Sequence, residues 1–147
     1  GGVAVATGDS VLLFDARALR TGGRASKRLW ASGNVLCLVA LADGCLAAGT
    51  RGGKVEIFSP SAIAAVGPAE PWIRSDLMAP VIALDELPDG TLAAAAHSQV
   101  FLLNRTAGIP DPVPAFKASA DIASMAALDH GGIVVSLEDA AIEFFQT

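Results

Sequence analysis

Three stretches of the chain can be laid over one another: "VLCLVALADGCLAAGTRGGKVEIFS" (35–59), "VIALDELPDGTLAAAAHSQVFLLN" (81–104) and "IASMAALDHGGIVVSLEDAAIEFFQ" (122–146). Each has an apolar stretch, a turn at Asp-Gly or Gly-Gly, a second apolar or small-residue stretch, a polar turn and a third apolar stretch. From Val35 to Val81 is 46 positions and from Val81 to Ile122 is 41. A fourth copy, "GGVAVATGDSVLLFDA" (1–16), starts at the turn, and its Val11 precedes Val55 by 44 positions. One such unit cannot bury its own apolar face. Repeats of about 40–50 residues therefore mean that neighbouring units stack to make the core.

The units are strands. Asp43-Gly44 and Asp89-Gly90 suit a two-residue type I′ turn, whose central positions both need φ > 0. The flanking runs are short, rich in Val, Ile, Leu and Phe, and bounded by Gly, Asp and Ser. Alanine in "LAAG" and "LAAAA" favours helix in isolation, but each run is too short for one and sits between turns. Small residues also suit sheets that pack closely face to face. A fourth strand per unit is expected in "SKRLWAS" (26–32), "EPWIRSD" (70–76) and "VPAFKAS" (113–119), each with one large aromatic among polar residues. Pro71 and Pro114 fit an edge position, where no ladder hydrogen bond is lost.

The segment "AGTRGGKVEIFS" (48–59) resembles the WD-repeat β-propeller family from second strand through turn to third strand. Phe58-Ser59 and Phe14-Asp15 stand where that family has Trp-Asp. The family's Gly-His pair is replaced by Gly33-Asn34, Ala79-Pro80 and Ala120-Asp121, so its His–Ser/Thr–Asp–Trp hydrogen-bond network is absent or broken. Asp9, with Thr7 nearby, is its best remnant. The resemblance implies an all-β fold of four-stranded antiparallel blades, about four here, two of them complete. Residues 1–32 form a blade without its inner strand, 33–77 and 78–119 are full blades, and 120–147 lacks its outer strand. Four partial or complete blades cannot close a ring of the usual size. The chain is expected to be a C-terminal fragment of a larger propeller, completed by another polypeptide segment. Val35, Leu41, Leu46, Val55, Phe58, Leu92, Val100, Ile133, Ile142 and one of Phe144 and Phe145 are expected to supply most of the packing between blades.

The chemical inventory is thin. Net charge is −5, which argues against a nucleic-acid footprint. The one basic cluster, Arg17, Arg20, Arg24, Lys27 and Arg28, reads as a solvated loop or as a surface for an acidic partner. No apolar run reaches the roughly 18 residues of a membrane helix. On a two-residue turn at Asp43-Gly44, Cys45 faces Ala42 and Cys37 faces Thr50. The sulfurs then lie about 16 Å apart at about 3.3 Å per residue, too far for a disulfide. Two free, buried thiols suit a reducing compartment, and a cytoplasmic location is expected. His97 and His130 fall in turns at opposite ends of their sheets, so they share neither a metal nor a nucleophile. Asp85, Glu86 and Asp89 read as turn carboxylates, with only Asp85 able to point inward as a metal ligand. "RTAGIPDPVP" (105–114) reads as an extended connector.

The resemblance to WD-repeat propellers implies a non-catalytic scaffold that binds other proteins, and no cofactor, metal, nucleic-acid or membrane partner is expected. A propeller enzyme or cofactor- or metal-binding domain is one alternative; a purely structural segment of a large complex is another. In such a fold the turns between second and third strands share a face with the connections into each first strand. Asp9, Asn34, Arg51, His97, Gln99, Glu138 and Asp139 are the candidate partner-binding residues, and the alternative is a rim site at Trp30 and Trp72.

Overall fold

The two Asp-Gly hairpins share one design, and it differs from the sequence expectation. In the computed structural model, which describes residues 1–67, 69–105 and 112–147, the Asp-Gly turns are three-residue loops. Leu41 N–H donates to Cys45 O and Gly44 N–H to Leu41 O; Leu87, Gly90 and Thr91 repeat the pattern. Only the glycines hold φ > 0, +86° at Gly44 and +84° at Gly90. This is a type I turn followed by a left-handed residue. The aspartates have a different task from the one a type I′ turn would give them. Asp43 Oδ1 accepts from Cys45 N–H and Asp89 Oδ1 from Thr91 N–H, each clamping the backbone two residues on. The longer loop moves the register: Cys37 faces Gly49, and Val35 faces Thr50 across a bulge. Both cysteines are free; Cys45 is buried and Cys37 half-buried.

The strands are β1 (Gly2–Thr7), β2 (Ser10–Asp15), β3 (Lys27–Trp30), β4 (Val35–Ala40), β5 (Leu46–Thr50), β6 (Lys54–Phe58), β7 (Ile73–Asp76), β8 (Val81–Glu86), β9 (Leu92–Ala96), β10 (Gln99–Leu103), β11 (Pro114–Lys117), β12 (Ile122–Ala127), β13 (Gly132–Leu137) and β14 (Ile142–Gln146). They form four antiparallel sheets in chain order: β1-β2-β3, β4-β5-β6-β7, β8-β9-β10-β11 and β12-β13-β14. The three aromatic-bearing connections carry the outer strands β3, β7 and β11. The connector 105–114 falls, at 106–111, outside the described residues.

Two short helices follow second-to-third-strand hairpins: α1 (Ala16–Thr21) after β2 and α2 (Pro60–Ala64) after β6. The first half of the basic cluster is thus helical. The cause is local. Asp15 and Ser59, at the family's Trp-Asp position, cap these helices by accepting from Ala18 N–H and Ala62 N–H. Pro60 starts α2 and a left-handed Gly22 ends α1, both favoured there.

Packing lies between sheets, in three separate cores. Val11, Leu29, Leu46, Ala48 and Phe58 join the first sheet to the second. Ala47, Val55, Ile57, Val81, Leu92, Ala94 and Phe101 join the second to the third. Ala93, Ala95, Val100, Ile133 and Val135 join the third to the fourth. Strands β5 and β9 are buried on both faces, alternate residues entering different cores. Their small side chains let the sheets approach. A Cβ on Gly49 would lie 2.6 Å from Cys37 Sγ and 2.6 Å from Val81 Cγ1.

Seven of the expected core residues are buried: Leu41, Leu46, Val55, Phe58, Leu92, Val100 and Ile133. Val35 is half-buried. Phe145 points inward and stacks on Phe116 at 5.0 Å. Ile142 is 73% exposed and Phe144 53%. Both lie on the face of the last sheet that no further sheet covers among the described residues.

Candidate functional site

Propeller-type sheets present two ends, and the predicted partner-binding residues lie at the end where the chain passes into each inner strand. Backbone hydrogen bonds stitch the second-to-third-strand turns to those connections. Arg51 N–H donates to Asn34 O at 2.8 Å, Glu138 N–H to Asp121 O at 2.9 Å, Ile122 N–H to His97 O at 2.8 Å and Ala31 N–H to Asp9 O at 2.9 Å. Arg51 is thereby set beside Asn34, and Glu138 beside Asp121. The side chains of Asp9, Asn34, Arg51, His97, Glu138 and Asp139 are exposed and Gln99 is half-buried. Asp139 builds its turn, its Oδ1 accepting from Ala141 N–H. The residue after it, Ala140, holds φ 69° where the other such loops have glycine. His97 (φ 52°) and Met78 (φ 60°) are also left-handed, and Met78 is 86% exposed. Non-glycine residues held this way are uncommon and cluster at functional positions.

The Asp9 carboxylate makes no hydrogen bond or ion pair among the described residues, so the remnant network around Thr7 is not formed. A different carboxylate device holds the blades, and it was not read from the sequence. Glu56, on the third strand of its sheet, is fully buried. Its two oxygens accept from Ser32 N–H at 3.1 and 3.2 Å, and Arg74 Nε donates to one of them at 3.3 Å. Glu143, at the same repeat position, accepts from Ser119 N–H and Oγ. The third copy has Phe101 there and Met78 at the place of the serine. The signal was available as "ASG" paired with "VEI" and "ASA" paired with "IEF", a Ser-to-Glu spacing of 24 residues in both.

At the opposite end, Arg105 spans two sheets. Its Nη1 donates to Asp43 Oδ2 at 2.7 Å, and its Nη2 to Glu86 Oε1 at 3.1 Å and to Gly90 O at 3.4 Å. Glu86 Oε2 also accepts from Ala42 N–H of the preceding sheet, and Asp85 Oδ2 from Ala127 N–H of the following one. Asp85 and Glu86 are therefore staples between sheets. Asp85, expected to be a turn carboxylate or an inward ligand, has its oxygens taken by Ala127 N–H and Glu86 N–H. Asp89 is a turn residue as expected. The Cys45 backbone N–H, and after it Arg105, hold the Asp43 carboxyl below its ordinary range. Thr91 N–H does the same for Asp89.

His97 and His130 lie in turns at opposite ends of their sheets, both exposed. Among the described residues no group of three or more His, Cys, Asp or Glu side chains is placed to hold a metal ion. No helix among them is long and apolar enough to cross a membrane. Trp30 and Trp72 fall in different clefts: Trp30 with Arg28, Ile63 and Val66, and Trp72 with Asp43, Asn104 and Arg105.

No protein-family model and no curated protein matches this sequence. Solved structures do. The WD40 β-propeller domain of Doa1 superposes with a TM-score of 0.77 at 14% identity, over 99% of this chain and 47% of that one. A chain of a mitotic checkpoint complex superposes with a TM-score of 0.76 at 19% identity, over 98% of this chain and 47% of that one. The protein therefore has an all-β fold of propeller blades. It is the fold of WD40 β-propeller domains, and the chain spans about half the length of these structures.

Proposed function

We propose that the protein is a set of blades from a larger WD-like propeller, divided at 1–32, 33–77, 78–119 and 120–147, that serves as a non-catalytic scaffold for other proteins. One observation carries this reading. Val11, Val55, Val100 and Ile142 occupy the same repeat position on the face turned to the next blade. The first three are 0% exposed and Ile142 is 73% exposed. The position is kept apolar where no following sheet covers it. At the other end Val3 and Val5 are 46% and 43% exposed, on a face that a preceding blade would bury. A further polypeptide segment that continues the sheet array on both sides accounts for both faces. The free thiols fit a reducing compartment such as the cytoplasm.

The partner surface is the turn end bearing Asp9, Asn34, Arg51, His97, Gln99, Glu138 and Asp139, with a rim site at Trp30 or Trp72 as its rival. Loops on a rigid scaffold carry recognition, and Arg51 offers a planar fork to carboxylates and aromatics. The test is a photo-crosslinking amino acid placed in living cells at position 51, at 30 or at 72. A protein adduct through position 51 supports the turn end. Adducts only through 30 or 72 move the site to the rim, and no protein adduct at any of them contradicts a scaffold.

A further inference from the structure

Half of the chain's ten basic residues lie between Arg17 and Arg28, while all fifteen carboxylates lie outside residues 16–42. The nearest in sequence, Asp15, is used as the cap of α1. Among the described residues the ion pairs are Lys54–Asp76, Arg74–Glu56, Arg105–Asp43 and Arg105–Glu86, all in later blades. Arg17, Arg20, Arg24 and Arg28 are exposed, and none of them is in these pairs. Arg17 and Arg20, three apart on α1, share a side of the helix.

Arg28, at the end of the patch, lines a groove at the rim between the first two blades, and Arg24 shares the adjoining cleft with it. Arg28 lies over the Trp30 ring, 5.2 Å from its centroid, which restrains the guanidinium and leaves its fork for a carboxylate. Trp30 is 47% exposed and Val66, across the groove, is fully exposed; Ile63 and Gly67 complete the wall. Lys27 is already engaged: its ammonium donates to Ala62 O and Ala65 O at the end of α2. That bond holds the far wall against the first blade.

We infer that this groove docks an acidic protein segment carrying an apolar residue, with carboxylates on Arg28, Arg24 and the α1 arginines and the apolar side chain between Trp30 and Val66. This deepens the scaffold reading and rests on it. A nucleic-acid strand fits less well. The net charge of −5 opposes a long polyanion, and the basic cluster is short and walled by apolar side chains.

The experiment is fluorescence anisotropy in 0.15 M salt (a Debye length of about 8 Å). The probes are a labelled twelve-residue Asp/Glu-rich peptide with one central leucine, its Asn/Gln counterpart and a labelled oligothymidylate. The acidic peptide should bind and the neutral one should not. R28E should weaken binding at least tenfold, W30A several-fold, and R28K should retain part of it. R51E, on the turn end, should leave it unchanged. All are surface changes, checked for folding by circular dichroism. Affinity unaffected by R28E, or oligothymidylate bound more tightly than the peptide, overturns the inference. Crosslinks through position 51 can still hold in that case, so its failure is separate from failure of the scaffold reading.

Discussion

Glu56→Ala is the most informative single substitution, because the same bond occurs twice in this protein at different depths. Glu56 has no exposed surface, lies between β5 and β7, and accepts from Ser32 N–H and Arg74 Nε. Arg74 is 48% exposed and recovers water when the carboxylate goes, so its loss is small. The Ser32 N–H loses a charged acceptor, a change of about 1.5–3 kcal/mol. The vacated side-chain volume adds a cavity cost of about 1 kcal/mol. The expected loss is about 2.5–4 kcal/mol. Glu143→Ala removes the equivalent bonds from Ser119; Glu143 lies on β14, which has no outer neighbour among the described residues, and Ser119 is exposed, so water reaches the freed N–H. It should cost less than about 1 kcal/mol. Glu56→Gln, which keeps an acceptor oxygen, should fall between the two. Urea unfolding of the three variants gives the comparison, and the Ser32 amide should exchange faster in Glu56→Ala. Equal losses at 56 and 143, or a loss below 0.5 kcal/mol at 56, would refute the argument that burial makes this bond matter.

Phe58→Ala should cost about 3–5 kcal/mol, since Phe58 is fully buried between the first two sheets; a loss under 1 kcal/mol in the same assay would show that this core is not a packing anchor. Gly90→Val should destabilise by more than an ordinary surface change, because φ is +84° there, and a neutral result would refute the three-residue turn. Burial pushes the Cys37 thiol up to about 11 from 9.0. A group whose folded value is raised contributes stability below its unfolded value and loses it as pH climbs from about 9 towards 11. At pH 8 native Cys37 should therefore react with a disulfide reagent far more slowly than a free thiol, and rapid native labelling would contradict its burial.

The repeat made most of the architecture legible. Four copies with shared apolar positions and turn residues define the sheets, and the aromatic-bearing connections mark the outer strands. The hairpin type was not legible, because Asp-Gly fits both turns and the choice rests on whether Asp43 has φ > 0 or accepts from Cys45 N–H. The helices are written in "DARALRTG" and "SPSAIA" as cap residues, but both stretches lie between repeat strands, and the repeat itself carries no signal for the conformation of a connection. Ile142 was misplaced for a reason local sequence cannot supply, since its repeat position is a core position wherever another sheet follows. The Glu56 and Arg105 contacts join residues 24 and 62 apart, and a residue type alone does not say which neighbouring sheet it will reach.

Solution mass together with hydrogen exchange of the isolated chain tests whether these blades belong to a larger ring. Amides of β1 and β14 should exchange much faster than those of β5 and β9, and the chain should self-associate through its uncovered faces. A stable monomer of 14.9 kDa with β1 and β14 as protected as β9 would contradict it.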